Sequence, residues 1–177
     1  MQSTFPIDEV LPERVVAVLR GRGDTVAFCE SLTAGLATAV LAGVPGASKV
    51  LRGGLVTYAT ELKITLAGVD RDIVDTHGVI SPECAQAMAL GVKRVCGADW
   101  GVSLTGVAGP DPQDGKPVGE VWIGFSTPSG ETHAYRANSL PDGDELLRGN
   151  RNEIRHAAVM VALRQMLQEF ARTETGA

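Results

Sequence analysis

The stretch Thr25-Val26-Ala27-Phe28-Cys29-Glu30-Ser31-Leu32-Thr33-Ala34-Gly35-Leu36-Ala37-Thr38-Ala39-Val40-Leu41 decides the fold. Thr25 to Cys29 is a short apolar run suited to a buried strand, and from Leu36 small and aliphatic side chains recur as on a helix packed closely against a sheet. Between them lies the polar segment Glu30 to Gly35. A strand, a sharp turn and a helix N-terminus in that order are the opening half of a βα unit.

Working outward, Val10, Leu11, Val15, Val18 and Leu19 recur at helical spacing between Asp8 and Arg22, with Gly21 and Gly23 as stop signals. Downstream, Gly43 to Gly46 closes the first βα helix. Gly54-Leu55-Val56-Thr57-Tyr58 reads as a second strand running into Ala59-Thr60-Glu61-Leu62-Lys63. Ser81-Pro82 is an N-cap with Pro at the first helical position, opening a helix to about Gly97 with Cys84, Met88, Val92, Val95 and Cys96 on its inner face. Trp100 to Thr105 is a third strand. Val118 to Thr127 and Glu131 to Asn138 form an antiparallel pair across Pro128-Ser129-Gly130. Ile154, Ala158, Val161, Leu163, Met166, Leu167 and Phe170 mark a final amphipathic helix. Alternating strands and helices with one late hairpin predict an α/β fold, a three-layer α/β/α sandwich around a mixed, mostly parallel sheet of about five strands. Residues 1–171 read as a single domain and 172–177 as a short frayed tail.

The 177 residues carry 16 Lys+Arg against 21 Asp+Glu, a formal charge of -5. That balance disfavours nucleic acid as a partner, because phosphate contacts need a basic face. Cys29, Cys84 and Cys96 are odd in number and contain no CxxC pair, which suits a reducing cytosol, so the expected location is cytoplasmic. Charges at Asp8, Glu9, Glu13, Arg14 and Arg20 interrupt any export signal. The uncharged run Ser31 to Ser48 holds too many Gly, Pro, Ser and Thr residues for a membrane span.

Ligands of such sheets sit at the C-terminal ends of the strands. If the first three strands are parallel, Ser31-Leu32-Thr33, Tyr58 to Lys63 and Thr105-Gly106-Val107-Ala108-Gly109-Pro110 converge on one edge. No zinc-binding motif, P-loop or GxGxxG is present, which leaves metal hydrolysis, P-loop chemistry and dinucleotide binding poorly supported; the three histidines are dispersed and there is no GxSxG elbow, though a Ser-His-Asp triad converging in space stays open. Ser31, between a strand and a helix N-terminus, sees unpaired backbone N–H groups, which suit a developing oxyanion. A serine nucleophile needs a base, here a carboxylate or a desolvated lysine, and Lys63 is the lysine of interest if burial holds its amine neutral. The plainer alternatives stand beside these. Ser31 and Thr33 read equally as helix caps, Lys63 as a solvated lysine, and Thr105-Gly106 as an ordinary turn or an anion nest. Arg151 and Arg155, four apart, suit a phosphate clamp or a solvated helix face.

As an ordered set, Glu30 to Gly35, Gly54 to Tyr58 with Lys63, Thr105 to Asp111 and Lys116-Pro117-Val118-Gly119-Glu120-Val121-Trp122 resemble the CinA C-terminal domain family over about residues 8 to 170. The resemblance implies an amidohydrolase that converts nicotinamide mononucleotide to nicotinate mononucleotide and ammonia without a cofactor. It implies Ser31 as nucleophile, Lys63 as general base and Tyr58 as an aid to the proton network. It further implies oxyanion donors near Ser31 or in the Gly46-Ala47-Ser48 bend, and substrate binding by Thr33, Gly35, Ser48, Thr105, Gly106, Arg151 and Arg155. The expected partner is a small nucleotide, with association as a homodimer as in related domains. Two other readings stay open: a noncatalytic nucleotide- or partner-binding domain of the same fold, and a Ser-Lys amidase for another small amide.

Overall fold

In the computed structural model, which describes residues 10–138 and 145–175, the deciding stretch forms β1 (Val26–Glu30), a turn and α2 (Leu36–Ala42). Before it runs α1 (Val10–Arg22); Asp8 and Glu9, expected to open this helix, lie outside the described residues. After α2 come a single 3-10 turn (Ala47–Lys49), β2 (Leu51–Val56), α3 (Thr60–Thr65), α4 (Arg71–His77) and α5 (Pro82–Cys96). The chain continues through β3 (Trp100–Gly106), β4 (Val121–Ser126), β5 (Thr132–Arg136) and α6 (Arg151–Thr175).

The strands lie in the order β2-β1-β3-β4-β5. β1 pairs in parallel with β2 and β3, while β4 is antiparallel to both its neighbours, so only β4 opposes the common direction. The sheet is mixed and mostly parallel, as the alternation of elements predicts. With a side-chain period of two, β1 sends Val26 and Phe28 into a core with Leu19, Trp100, Phe125 and Leu163, beneath α1, α2 and α6. Ala27 and Cys29 face the opposite layer, where Cys84, Met88 and Val92 of α5 cover them.

Small residues let α5 lie almost on the backbone of the sheet. Ser103 Oγ donates to the Ala85 carbonyl at 2.6 Å, and a Cβ at Gly124 would stand 2.2 Å from that same oxygen. Gly124→Ala therefore forces helix and sheet apart. It is expected to cost about 1–3 kcal/mol, lowering the thermal midpoint by about 2–4 °C for each kcal/mol in a chain of this size; a calorimetric scan checks this.

Several boundaries differ from expectation for readable reasons. β2 begins at Leu51 rather than Gly54, and its ladder with β1 ends at Glu30↔Val56, where β1 itself ends. Tyr58 therefore lies beyond the strand, in the link to α3. Val95, expected on the inner face of α5, is exposed instead, while Cys96 beside it packs against the core. The C-terminal segment expected to fray from Arg172 is helical through Thr175, because Arg22 of α1 donates to Thr173 Oγ1 at 3.1 Å and to Glu174 Oε1 at 2.6 Å; residues 176 and 177 lie outside the described residues. Among the described residues no helix is long and apolar enough to cross a membrane.

Candidate active site

The turn after β1 is built by a residue that sequence reasoning passed over. Glu30 is wholly buried, and its carboxylate accepts from the amides of Gly35 at 3.0 Å, Ala37 at 3.0 Å and Thr38 at 2.8 Å, and from Thr38 Oγ1 at 2.7 Å. It thus closes the N-terminus of α2 from the strand side. Neither Ser31 nor Thr33 caps the helix: the N-cap is Gly35 in a left-handed conformation with no side-chain bond, and Thr33 Oγ1 is buried without a partner among the described residues. With Glu30 occupying the helix end, α2 offers no anion site there. The Ser31 amide bonds the Leu104 carbonyl, that of Ala34 the Ser31 carbonyl, and that of Leu36 the Thr33 carbonyl. Among the described residues, the Leu32 amide is what this turn leaves on the lining of the cleft.

Lys63 sits on α3, a helix of six residues, and is not a solvated lysine. It is 1% exposed. Its Nζ lies 3.1 Å from Ser31 Oγ and donates to the Thr57 carbonyl at 2.7 Å. Burial holds the amine below its ordinary value of 10.5, against weaker opposing contributions from the neighbouring Cys84, Cys29 and Glu61. Burial also pushes the Cys29 thiol up to about 12 and the Cys84 thiol up to about 11. Both thiols therefore stay protonated at neutral pH, and their opposing pull on Lys63 acts only at alkaline pH, where they ionise. Cys29 Sγ instead lies 3.4 Å from Thr57 Oγ1, steadying the residue whose carbonyl holds the lysine.

These groups open into a cleft of about 560 Å³, its mouth included, at the C-terminal edge of β1 and β3. Of the expected site residues it gathers Ser31, Lys63, Tyr58, Thr105, Gly106 and Arg151. Thr105 is buried and its Oγ1 is spent on the Val79 carbonyl at 2.7 Å, so it shapes the wall rather than presenting a hydroxyl. Tyr58 is exposed, and its hydroxyl accepts from Arg151 at 2.7 Å.

Four expected residues are not among the lining. The Gly35 amide is bonded to Glu30, and Thr33 is buried in the turn. Arg155 spends its guanidinium on the carbonyls of Leu32 and Thr33, both at 3.0 Å, and on Asn152 at 3.1 Å, bracing the turn from outside the cleft. Ser48, with the Gly46-Ala47-Ser48 bend proposed to hold an oxyanion, lies at the wrong end of the sheet. It precedes β2, whose first residue Leu51 pairs with Val26 at the start of β1. Leu32, Thr60, Asp111 and Gln113 line the cleft without having been singled out as binding residues. Among the described residues no group of three or more His, Cys, Asp or Glu side chains gathers to hold a metal ion.

Fold and cleft together define a class: an α/β/α sandwich with a hydroxyl and a buried amine paired at the ligand-binding edge of its sheet. The chain belongs to the CinA C-terminal domain family, whose model it matches over residues 8–170. It is 48% identical over 141 residues to a competence-damage inducible protein of Geobacillus sp. (strain WCH70), covering 80% of this chain and 34% of that protein. To one of Lysinibacillus sphaericus (strain C3-41) it is 41% identical over 170 residues, covering 94% and 39%. The chain spans about a third of the length of the curated relatives it matches. Among solved structures it resembles the competence/damage inducible protein CihA from Agrobacterium tumefaciens, with 32% identity, a TM-score of 0.81 and coverage of 94% of this chain and 98% of that one. It also resembles a competence-damaged protein (CinA) superfamily protein from Klebsiella pneumoniae 700603, with 27% identity, a TM-score of 0.85 and coverage of 93% and 98%.

Proposed function

We propose that the cleft hydrolyses a carboxamide, with Ser31 as nucleophile and Lys63 as general base, and that its substrate is nicotinamide mononucleotide. The observation that carries this reading is the buried Lys63 amine 3.1 Å from Ser31 Oγ, one of its hydrogens occupied by the Thr57 carbonyl. A neutral amine so held can point its lone pair at the serine hydroxyl. Ser31 Oγ attacks the amide carbon while Lys63 takes its proton; the tetrahedral species collapses as the ammonium returns a proton to the departing nitrogen, and ammonia leaves. Water, deprotonated by Lys63, then attacks the acyl-enzyme ester and releases the carboxylate. The Leu32 amide, on the cleft lining, is the donor for the oxyanion in both halves. Arg151 supplies the positive charge that a ribose phosphate needs, and family membership over residues 8–170 supports the same assignment.

Because only the neutral amine accepts a proton, kcat/KM is expected to rise with pH and level off above the Lys63 pKa, which burial places below 10.5. Below that value each pH unit costs about tenfold. A profile still climbing at about pH 10, the range of an unperturbed lysine, would show that the base is not a desolvated amine. The reading as a whole is tested by ammonia release from nicotinamide mononucleotide, with nicotinamide and nicotinamide riboside beside it. Turnover of the mononucleotide is the expected result. No ammonia from any of the three across roughly pH 6 to 9, the range spanned by a depressed lysine, overturns it.

A further inference from the structure

The guanidinium of Arg151 donates to the Gly109 carbonyl at 2.5 Å and to the Tyr58 hydroxyl at 2.7 Å. A residue at the start of α6 thereby ties the loop after β3 to the segment after β2, with all three residues lining the cleft. Both acceptors are neutral, and Tyr58 is 54% exposed, so little packing holds its ring in place. An anion with paired oxygens is a much stronger partner for a guanidinium fork than a carbonyl and a phenol. Tyr58 also directly follows Thr57, whose carbonyl holds Lys63, and shares the cleft with Ser31, yet its hydroxyl is engaged by Arg151.

We propose that Arg151 is a specificity latch on Tyr58: a phosphate monoester on the substrate takes the guanidinium, and the released Tyr58 hydroxyl joins Ser31 and Lys63 in proton transfer. This rests on the amidase reading and deepens it. Tyr58 passes its phenolic proton to the departing nitrogen and recovers one from the Lys63 ammonium, so the balance of the reaction is unchanged. An anion can shift the latch only by its preference for the open arrangement, and the phosphate supplies that preference through Arg151. A substrate without the phosphate leaves Tyr58 tied, so discrimination falls on kcat and not on binding alone. Arg151 thus acts on the chemical step through Tyr58, as a positioning residue.

Two measurements test the latch. The chain has 2 tyrosines, Tyr58 and Tyr135, so ring-labelled tyrosine gives signals that Tyr58→Phe assigns. Titration with inorganic phosphite is expected to move the Tyr58 signal and leave that of Tyr135 in place. In Arg151→Ala the Tyr58 signal is expected to start near the phosphite-bound position and not respond. A Tyr58 signal indifferent to phosphite in the unaltered protein overturns the latch. In the second measurement, phosphite is expected to raise kcat on nicotinamide riboside by about tenfold or more, and to do nothing in Tyr58→Phe. Arg151→Ala is expected to turn over the riboside several-fold faster than the unaltered protein while losing about 100-fold on the mononucleotide; equal losses on both substrates overturn the latch. The spectroscopic arm needs no turnover. Absence of ammonia with an intact phosphite response removes the amidase reading and leaves the anion-operated latch standing, whereas ammonia without that response does the reverse.

Discussion

Ser31→Ala is expected to lower ammonia release from nicotinamide mononucleotide by at least about 10³-fold, and Lys63→Met by a similar factor, the double variant being little worse than either single one. Residues that act as a unit lose their function together. Steady-state assays on folded variants check this, and a double variant whose losses multiply would show that the two groups act separately. The lysine variant carries a second signature. In the folded protein the buried Lys63 amine releases its proton below 10.5, so between that lowered pKa and the ordinary value the unfolded chain binds the extra proton. Stability contributed by this site is therefore lowest at acid pH, rises through that window, and is no longer penalised above the ordinary lysine pKa. In Lys63→Met that rise is expected to disappear, as denaturant melts at several alkaline pH values read directly. Relief of desolvation offsets the cost of leaving the buried Thr57 carbonyl without its donor.

The largest expected effect on stability belongs to Glu30→Ala. It removes four hydrogen bonds to a buried carboxylate and leaves three amides at the start of a seven-residue helix without that partner. Bonds to an ionised group contribute about 1.5–3 kcal/mol each but do not add in full. A loss of about 3–4 kcal/mol is expected, a large share of the margin of an ordinary domain. Thr38→Val, which removes the hydroxyl bond but keeps the amide bond, is expected to cost about 1 kcal/mol. Urea denaturation separates the two, and equal midpoints for both variants would refute the role given to the carboxylate. Activity is expected to fall further than stability alone explains, because the same turn places Ser31 on Lys63.

The sheet, its strand directions and most helices were legible because they rest on period and punctuation: the apolar run before Glu30, the Gly43 to Gly46 break, the Ser81-Pro82 cap. Ser31, Tyr58 and Lys63 were legible as polar residues placed after strands, and Arg151 as a cation at the start of the last helix; the cleft gathers all four. Glu30 was not, since an acidic residue at the end of a strand carries no periodic signal for a partner located five to eight residues ahead on the next helix. α3 was missed because six residues are too few to show a helical period. Arg151 and Arg155 share a spacing that suits a common clamp, yet the carbonyls of Leu32 and Thr33 claim the second guanidinium and leave only the first in the cleft. The Gly46-Ala47-Ser48 bend was not legible as remote because sequence alone does not show that a loop preceding β2 lies at the opposite end of the parallel strands from Ser31.

Arg151 opens the final helix, and that helix also supplies Ile154, Leu163 and Phe170 to the core above β1. The serine, its lysine and the tyrosine are all translated well before the residue that ties the cleft's mouth together. A ribosome-bound chain emerging N-terminus first therefore carries Ser31 and Lys63 before it has Arg151 or the α6 side chains that close the core above β1. Closing of the core above β1 and arrival of the Arg151 guanidinium at the cleft are thus one event, because both wait for α6.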